Sequence, residues 1–253
     1  MIQPDTGAFT VMSYNLWKNQ AVADLSGLIA KHPVDILCVQ EANTATLPRT
    51  LGDLRLAAST DNDRLGLAIY SREGRFSVRQ TRSFALTRSV HDRLMRSTPE
   101  RLVAARLVDE DTGHDLVVAS FHAAPLSDLN VVRRAQIRRA HHLLTKLGDG
   151  LPTIMIGDFN YPWFARHLGE CVARAGYTLT RGAASTYHRF PILRGTFDLA
   201  TSIGFDLGPI RTLAQGLSDH LPIIVTATRA NLHHLIEPAG RPESTRPSIG
   251  ANR

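Results

Sequence analysis

The feature that most constrains the fold of this chain is its large number of short apolar runs, each of strand length and bounded by turns. Apolar residues at helical spacing predict three helices, at Ala21–Lys31, Asp128–Leu147 and Ala165–Ala175. The strands are too many for one small sheet, so we expect an α/β (α+β) protein with two packed sheets and helices outside them. The predicted strands are Phe9–Tyr14, Val34–Val39, Leu54–Ser59, Leu67–Ser71, Phe76–Phe84, Leu102–Val108, Leu116–Phe121, Thr153–Ile156, Thr196–Thr201 and Leu221–Thr228.

Length and composition favour one domain. The chain has 253 residues, of which 43% are hydrophobic, and no internal boundary interrupts residues 1–228. Residues 229–253 are polar and rich in proline and glycine, which predicts a disordered tail. No run approaches the roughly 18 apolar residues of a membrane span, and the N-terminus does not resemble a signal peptide. We therefore expect a cytoplasmic monomer with no transmembrane segment.

Cysteine content excludes two classes of protein. The chain has 2 cysteines, Cys38 and Cys171, which are too few for a disulfide framework or a cysteine metal site. Cys38 lies inside an apolar run, so it is expected to be a buried strand residue.

Positive charge is concentrated in two parts of the chain. The net charge is +6, and Ser71–Arg106 contains nine arginines against three acidic residues. A second basic cluster, Arg133–Lys146, lies on the longest predicted helix. Such regions suit a polyanion, whether nucleic acid, an anionic lipid head group or a phosphorylated sugar, although a solvated basic face explains them equally well. Aromatic residues make up only 6% of the chain, so no base-stacking platform is evident.

Polar residues follow several predicted strands. Gly157-Asp158-Phe159-Asn160 ends a continuous apolar run, and there Asp158 could align or deprotonate a water while Asn160 holds a phosphate oxygen. An Asx turn at a strand end is the alternative. Asn15 and Glu41 also come after apolar runs, and Mg²⁺ needs only one or two carboxylates plus an amide because it keeps several waters. Glu41 could also be an acid at the start of a helix.

Two histidines complete the polar set. His122 follows an apolar run and could donate to a phosphoryl oxygen. Asp198 lies within a predicted strand, where a buried carboxylate needs a partner, and a histidine is the natural one. Asp219 and His220 stand side by side, just before the last predicted strand. Together these oxygens and imidazoles suit metal-assisted cleavage of a phosphoester.

In this order the motifs resemble the endonuclease/exonuclease/phosphatase superfamily, which includes deoxyribonuclease I, exonuclease III, neutral sphingomyelinases and inositol polyphosphate 5-phosphatases. The resemblance covers roughly Phe9–Thr228 and implies a four-layer α/β/β/α sandwich with two mixed sheets packed face to face. It implies that Glu41 is the principal Mg²⁺ ligand, with Asn15 and Asp219 near the metal and Mn²⁺ as an alternative ion.

The same resemblance implies catalytic roles for five residues. It makes Asp158 the group that orients water, Asn160 a phosphate ligand and His220 the catalytic histidine. Asp198 would be the carboxylate partner of His220, and His122 a second phosphate contact or a general acid. Arg93 and Arg96 in the basic region, and Thr186 in a Thr-aromatic segment, are the candidates for substrate binding.

Two departures from the family pattern distinguish this chain from some members of the family. Many members have an arginine two residues before the late aspartate, where this chain has Thr196. The run after His122, Ala123-Ala124-Pro125, differs from the asparagine-containing loop of exonuclease III-like members, which argues against an abasic-site repair enzyme.

The leading hypothesis is an Mg²⁺-dependent phosphoesterase that hydrolyses phosphodiesters by in-line attack of water, with DNA as the favoured substrate and phosphomonoesters as a further option. A phospholipid, sphingomyelin or phosphoinositide phosphoesterase is the alternative, and it would need an exposed apolar loop. Leu94-Met95 and Tyr161–Phe164 are the candidates for that loop, and the second could instead be the apolar start of a helix. An inactive polyanion-binding module is a more distant reading.

Overall fold

The computed structural model describes residues 7–86, 100–190 and 193–230, and within them the chain forms two large mixed sheets and a small hairpin. Arg93, Arg96 and Leu94-Met95 lie outside the described residues, as does the predicted tail beyond residue 230. The predicted division into a domain at 1–228 and a tail therefore stays a prediction.

The first sheet has eight strands in the order β14-β16-β1-β2-β5-β4-β3, with β15 also paired to β16, and the second has six in the order β10-β13-β9-β8-β7-β6. Each sheet contains one parallel pair, β1 with β2 and β8 with β9. The strands are β1 Phe9–Asn15, β2 Ile36–Ala42, β3 Thr50–Leu51, β4 Leu54–Ser59, β5 Gly66–Arg72, β6 Phe76–Ala85, β7 Glu100–Asp109, β8 His114–His122, β9 Thr153–Asp158, β10 Thr178–Thr180, β11 Tyr187–Phe190, β12 Leu193–Gly195, β13 Asp198–Ile203, β14 Phe205–Leu207, β15 Arg211–Thr212 and β16 Ile223–Arg229.

The three predicted helices are present with shifted ends. They are α1 Asp24–Lys31, α2 Asn130–Gly148 and α3 Ala165–Ala173. Helix α1 begins three residues later than predicted, because residues 17–23 form turns. Within the described parts of the chain, no helix is long and apolar enough to cross a membrane.

Three apolar clusters confirm the predicted four layers. The central cluster lies between the sheets and joins, for example, Val11 and Ile36 of the first sheet to Val118 and Ile154 of the second. A second cluster packs α2 and α3 onto the outer face of the second sheet, and a third packs α1 onto the outer face of the first. Cys38 is buried in the central cluster, as expected of a strand residue.

A buried polar bridge crosses the central layer. Gln40 donates through Nε2 to Ser120 Oγ of the opposite sheet at 2.9 Å and to Ser13 Oγ of the neighbouring strand at 3.1 Å. Ser120 in turn donates to the carbonyl of Val39 at 3.1 Å. Because unpaired polar groups in this apolar layer would be destabilising, the bridge favours one lateral placement of the two sheets.

Gly157 allows the parallel strands β8 and β9 to approach closely. Its φ is 150°, and a Cβ atom added there would lie 2.0 Å from the carbonyl oxygen of Phe121. A side chain at this position would push β9 away from β8 just before Asp158. The glycine of the predicted motif therefore has a packing role.

We expect Gly157→Ala to lower the free energy of unfolding by about 3 kcal/mol or more, because backbone would have to move to remove the clash. Gly169→Ala is the matched control, since Gly169 is helical and a Cβ there meets nothing within 4 Å. That substitution should be neutral or stabilise by about 0.5–1 kcal/mol. Equal denaturant midpoints for the two variants would contradict this role for Gly157.

Candidate active site

The polar residues that follow the predicted strands meet at one edge of the sandwich. In the second sheet His122 pairs with Asp158, and Asp158 pairs with Asp198, so three polar side chains stand in a row. The parallel ends of β1 and β2 bring Asn15 and Glu41 to the matching edge of the first sheet, where His220 lies just before β16. The site therefore takes three side chains from each sheet.

Asn15 connects Glu41, the predicted metal ligand, with Asp158, the predicted catalytic carboxylate. Its amide Nδ2 lies 3.4 Å from Glu41 Oε1 and 3.2 Å from Asp158 Oδ2, and its Oδ1 accepts the N–H of Trp17. The amide nitrogen thus faces the carboxylates. Direct ligation of a cation by Asn15 would need this amide to turn.

Glu41 is held in a backbone conformation that favours glycine. Its φ is 54°, at a bulge in the pairing of β2 with β5. Its Oε2 accepts the N–H of Lys18 at 2.8 Å, in a loop where residues 17–19 all have positive φ. Left-handed backbone at a residue other than glycine costs about 1–2 kcal/mol. Strain is therefore concentrated around the Glu41 carboxylate.

Both histidines face the same oxygen of Asp158. The Nε2 atoms of His122 and His220 each lie 3.7 Å from Asp158 Oδ2, and His122 Nε2 is also 3.8 Å from Glu41 Oε1. Burial raises the pKa of the Glu41 carboxyl, but His122, the N–H of Lys18 and other neighbours together lower it below its usual value. Glu41 is therefore ionised at neutral pH.

The two histidines have opposite electrostatic environments. Burial lowers the pKa of His122, and the charge of Arg101 lowers it further against the opposing effect of Glu41, so this imidazole is neutral at pH 7. Burial also lowers the pKa of His220, but Asp198 and other carboxylates outweigh it and raise that pKa to about 10. A group whose pKa is raised keeps its proton as the pH rises, so His220 is an imidazolium at pH 7.

Asp198 is the partner of His220, as the sequence indicates. Its Oδ2 lies 2.9 Å from Nδ1 of His220, and both residues are buried. The second oxygen, Oδ1, is buried and accepts no hydrogen bond within the described structure. The strand predicted at Thr196–Thr201 starts two residues later than expected, so Asp198 is the first residue of β13.

Asp158 is a buried carboxylate of the site, only 2% exposed. Burial raises the pKa of its carboxyl, and the charges of Asp198 and Glu41 add to that effect against His220 and the N–H of Asn160. The result is a pKa above the usual aspartate range. Such a carboxylate can accept a proton more readily than an exposed aspartate.

Asp158 and Asn160 form an Asx turn, which was the alternative interpretation of the Gly157–Asn160 motif. The N–H of Asn160 donates to Asp158 Oδ1 at 2.8 Å, and the φ of Asn160 is 47°. The same turn places its side-chain Nδ2 3.2 Å from Asp158 Oδ2 and 3.3 Å from the carbonyl of Ala123. The turn and a role in the site are therefore compatible, since the first positions the amide for the second.

Asp219 lies on the His220 side of the site. It is buried, its carbonyl accepts the N–H of His188 at 2.9 Å, and its charge contributes to the raised pKa of His220. Ser218 fixes this segment to β1, because its hydroxyl donates to the carbonyl of Asn15 at 2.7 Å and accepts the N–H of His220 at 3.0 Å. Its predicted place near a metal stays a prediction.

Asp24 is a positioning residue that the sequence did not reveal. Its Oδ2 accepts the N–H of Leu217 at 2.7 Å and the hydroxyl of Tyr14 at 2.9 Å, so it holds the loop that precedes His220. A Cβ at Gly216 would lie 2.1 Å from the same oxygen, which explains the glycine. No local pattern could have identified Asp24, because 193 residues separate it from Leu217.

Thr186 requires a correction. It was predicted to bind substrate, but it is fully buried and its hydroxyl accepts the N–H groups of Phe197 and Asp198 at 2.9 and 3.1 Å. A buried hydroxyl that holds these two donors cannot also reach a substrate. Thr186 therefore positions the start of β13, and with it the partner of His220.

Several arginines of the basic region Ser71–Arg106 bond to other residues of the protein. Arg72 and Arg75 form ion pairs with Asp35, and Arg106 pairs with Asp115. Arg101 is buried and donates to the carbonyls of His122 and Ala123 at 3.5 and 3.2 Å, which makes it a support of the site. Arg79 and Arg82 on β6 are exposed and can meet a polyanion.

The donor set fits a hydrated divalent cation. Across residues 7–86, 100–190 and 193–230, no three His, Cys, Asp or Glu side chains form a complete metal cage. Mg²⁺ does not need one, because it retains waters and binds through one or two carboxylates and substrate phosphate. Glu41 supplies a hard oxygen ligand of the kind that such an ion prefers, with the side chain of Asn15 beside it at 3.4 Å.

The two-sheet sandwich thus has two buried histidines and several carboxylates at one edge, the kinds of group that hydrolysis of a phosphoester uses. Residues 12–220 match the model of the endonuclease/exonuclease/phosphatase family. The chain belongs to this family, whose members are hydrolases that act on phosphoesters and generally depend on a divalent metal. A search of curated proteins finds no match to the sequence.

Solved structures share the fold at low sequence identity. The catalytic domain of human nocturnin, with a bound sulfate anion, has a TM-score of 0.70 at 18% identity over 88% of this chain and 95% of that chain. A mannosyl-6-phosphatase from Bacteroides thetaiotaomicron has a TM-score of 0.70 at 18% identity over 87% and 99%. TDP2 from D. rerio, in complex with a single strand DNA product, has a TM-score of 0.67 at 15% identity over 87% and 99%.

We expect Thr186→Val to lower the free energy of unfolding by about 1–3 kcal/mol, because two buried N–H groups lose their acceptor. Thr186→Ser is the control, since it keeps the hydroxyl and should remain closer to the wild-type midpoint in urea. If both variants instead retain full stability and raise only KM, Thr186 contacts substrate and the positioning role is wrong.

Proposed function

We propose that this protein is an Mg²⁺-dependent phosphodiesterase that acts on DNA, with Mn²⁺ as an alternative ion. The observation that supports it most is the placement of Asp158 between a charged and a neutral imidazole, next to Glu41. This set combines a proton acceptor, a fixed positive charge and a metal-binding carboxylate within one buried site, as hydrolysis of a phosphodiester requires.

Each residue has a distinct task in the proposed reaction. Asp158 accepts a proton from the attacking water, because its raised pKa makes it more basic than an exposed aspartate. His220 keeps its proton through Asp198 and balances the negative charge that develops on the phosphate. His122 is neutral, so it fits a hydrogen-bond donor to the phosphate better than a general acid.

Asn160 and Glu41 complete the proposed site. The amide of Asn160 donates to Asp158 at 3.2 Å and to the carbonyl of Ala123 at 3.3 Å, and one of these long bonds would be exchanged for a bond to a phosphate oxygen. Glu41 would hold the metal, with Asn15 and Asp219 close by, and a bound Mg²⁺ would supply Lewis-acid polarisation of the phosphoryl group. Within the described chain Glu41 forms no ion pair with a lysine or arginine, which leaves its carboxylate available for a cation.

DNA is the proposed substrate because the second sheet and helix α2 carry exposed positive charge. Arg79 and Arg82 lie along β6, and Arg138 and Arg139 are exposed on α2. TDP2, which shares the fold, binds a single strand DNA product in its own structure. The inference from charge applies to any polyanion, so a direct test with DNA is needed to separate it from lipid or sugar phosphates.

We expect His220→Ala to lower kcat/KM for a phosphodiester by about 10²–10⁴-fold, because the fixed positive charge is lost. His142→Ala is the control, since His142 is an exposed histidine of α2. Removal of divalent metal with a chelator should abolish turnover of the wild type, and Mg²⁺ should restore it. Turnover that survives full chelation, or an unchanged rate in His220→Ala, would exclude this mechanism.

Binding to DNA should weaken steeply with salt. Each phosphate that the protein neutralises contributes a slope of about −0.9 in a plot of log affinity against log salt. Arg79→Gln with Arg82→Gln should reduce that slope by about two. Arg55→Gln on the first sheet, where Arg55 pairs with Glu73, should leave it unchanged. A flat salt dependence in the wild type would argue against nucleic acid as the substrate.

A further inference from the structure

An exposed apolar patch borders the proposed phosphate site. Trp163 and Phe164 are 50% and 61% exposed, and they follow Asn160 on the loop that joins β9 to α3. Leu129 and Val131, at the start of α2, are 73% and 60% exposed. Large apolar side chains with this much exposure, on a loop and at the start of the helix that Arg134 joins to it, indicate a binding surface, since they are unfavourable in water. We call these four residues the rim patch.

The loop that carries the two rings is held firmly. Tyr161 is fully buried, and its hydroxyl accepts a hydrogen bond from Arg134 of α2 at 2.9 Å, which brings the loop against the first turns of that helix. Phe164 has a φ of 61° and precedes α3 directly. The run Tyr161–Phe164 therefore leads directly into α3, with Phe164 as the N-cap, as the alternative of an apolar helix start expects, and Trp163 and Phe164 remain exposed there.

The strained backbone of Phe164, whose aromatic side chain is exposed, needs an explanation. Left-handed backbone at Phe164 costs about 1–2 kcal/mol, and glycine or asparagine would relieve it. The Phe164 ring lies near that of His167, with centroids 6.1 Å apart, and the residue is 61% exposed. A strained residue with an exposed aromatic side chain is a candidate for a ligand contact.

We propose that the rim patch is a stacking platform for unpaired nucleic-acid bases, and that Trp163 and Phe164 are its central rings. This inference rests on the proposed function, because it names the kind of DNA that the same site accepts. Asn160, the proposed phosphate ligand, lies on the same loop only three residues before Trp163, which is about 10 Å of chain at most. A ring so placed can stack on a base attached to the bound phosphate.

The charge around the rings favours a single strand over a lipid surface. The Arg166 side chain is 92% exposed, pairs with Glu170 at 3.2 Å and follows Phe164 by two residues, and Arg134 of α2 donates to Tyr161 on the same loop. Single-strand sites combine such cations with aromatic rings that accept any base. Firm anchoring through Tyr161 and the left-handed Phe164 suits stacking, which needs fixed ring planes, more than it suits insertion into a fluid membrane.

The experiment compares two single strands that differ only in their bases. Fluorescently labelled oligonucleotides of equal length and with phosphorothioate links, one of thymidines and one of abasic residues, are titrated with the full-length protein in Mg²⁺. We expect the thymidine strand to bind roughly tenfold more tightly, since stacking on an aromatic ring supplies that much discrimination. Trp163→Ala with Phe164→Ala should remove this difference between the strands.

Val78→Ala with Ile203→Ala is the matched control, because both are exposed apolar residues at the opposite end of the sandwich. This control should keep the tenfold preference. Equal affinity of the wild-type protein for the two strands would overturn the proposal without any variant. Binding to anionic phosphatidylglycerol vesicles that depends on Trp163 and Phe164, without a preference for bases, would also overturn it and assign the patch to lipid.

A second measurement separates this proposal from the proposed function. Hydrolysis of the small diester bis(p-nitrophenyl) phosphate by the wild type in Mg²⁺ tests the chemistry without any polynucleotide. If that hydrolysis is absent, the proposed function fails whatever the strands show. If it is present and the strands bind equally, only the stacking platform fails.

Discussion

The face-to-face packing of the two sheets is the constraint on which the rest of this structure depends. Neither sheet carries a complete site, because each contributes half of the polar side chains. Contacts between the halves are short and buried, as in the pairs Asn15–Asp158 and His220–Asp198. The Gln40 bridge beneath them is polar within an apolar layer, so it tolerates little lateral displacement of one sheet over the other. Formation of the site and formation of the core are therefore one event.

Burial at the edge of the sandwich also decides which histidine carries charge. His220 and His122 have the same side chain and lie at the same 3.7 Å from Asp158, yet His220 also has a carboxylate at hydrogen-bond distance, Asp198 at 2.9 Å. The other carboxylate near His122, Glu41, is 3.8 Å away, and the charge of Arg101 opposes its effect on the pKa of His122. The pKa values of the two imidazoles thus differ because their neighbouring groups differ. This explains how one buried site can hold both a charged and a neutral histidine.

Local patterns in the sequence predicted most of the fold and much of the site, because strand-length apolar runs and the polar residues that end them are encoded within a few positions. Long-range contacts were the part that such patterns could not supply. Thr186 looked like a substrate ligand, since nothing local shows that its hydroxyl is occupied by the N–H groups of Phe197 and Asp198. Arg101 counted toward a basic surface, although it is buried behind the site. The start of α1 was also predicted too early, because residues 17–23 form turns instead of helix.

The left-handed backbone at Glu41 has a consequence for the balance between stability and the proposed chemistry. A glycine there would relieve the strain at a φ of 54°, but it would remove the carboxylate that accepts the N–H of Lys18. An asparagine, as at Asn160, adopts the same backbone at lower cost. Glu41 thus holds its carboxylate at the proposed metal site at a cost in stability, which is the trade-off that a strained functional position makes.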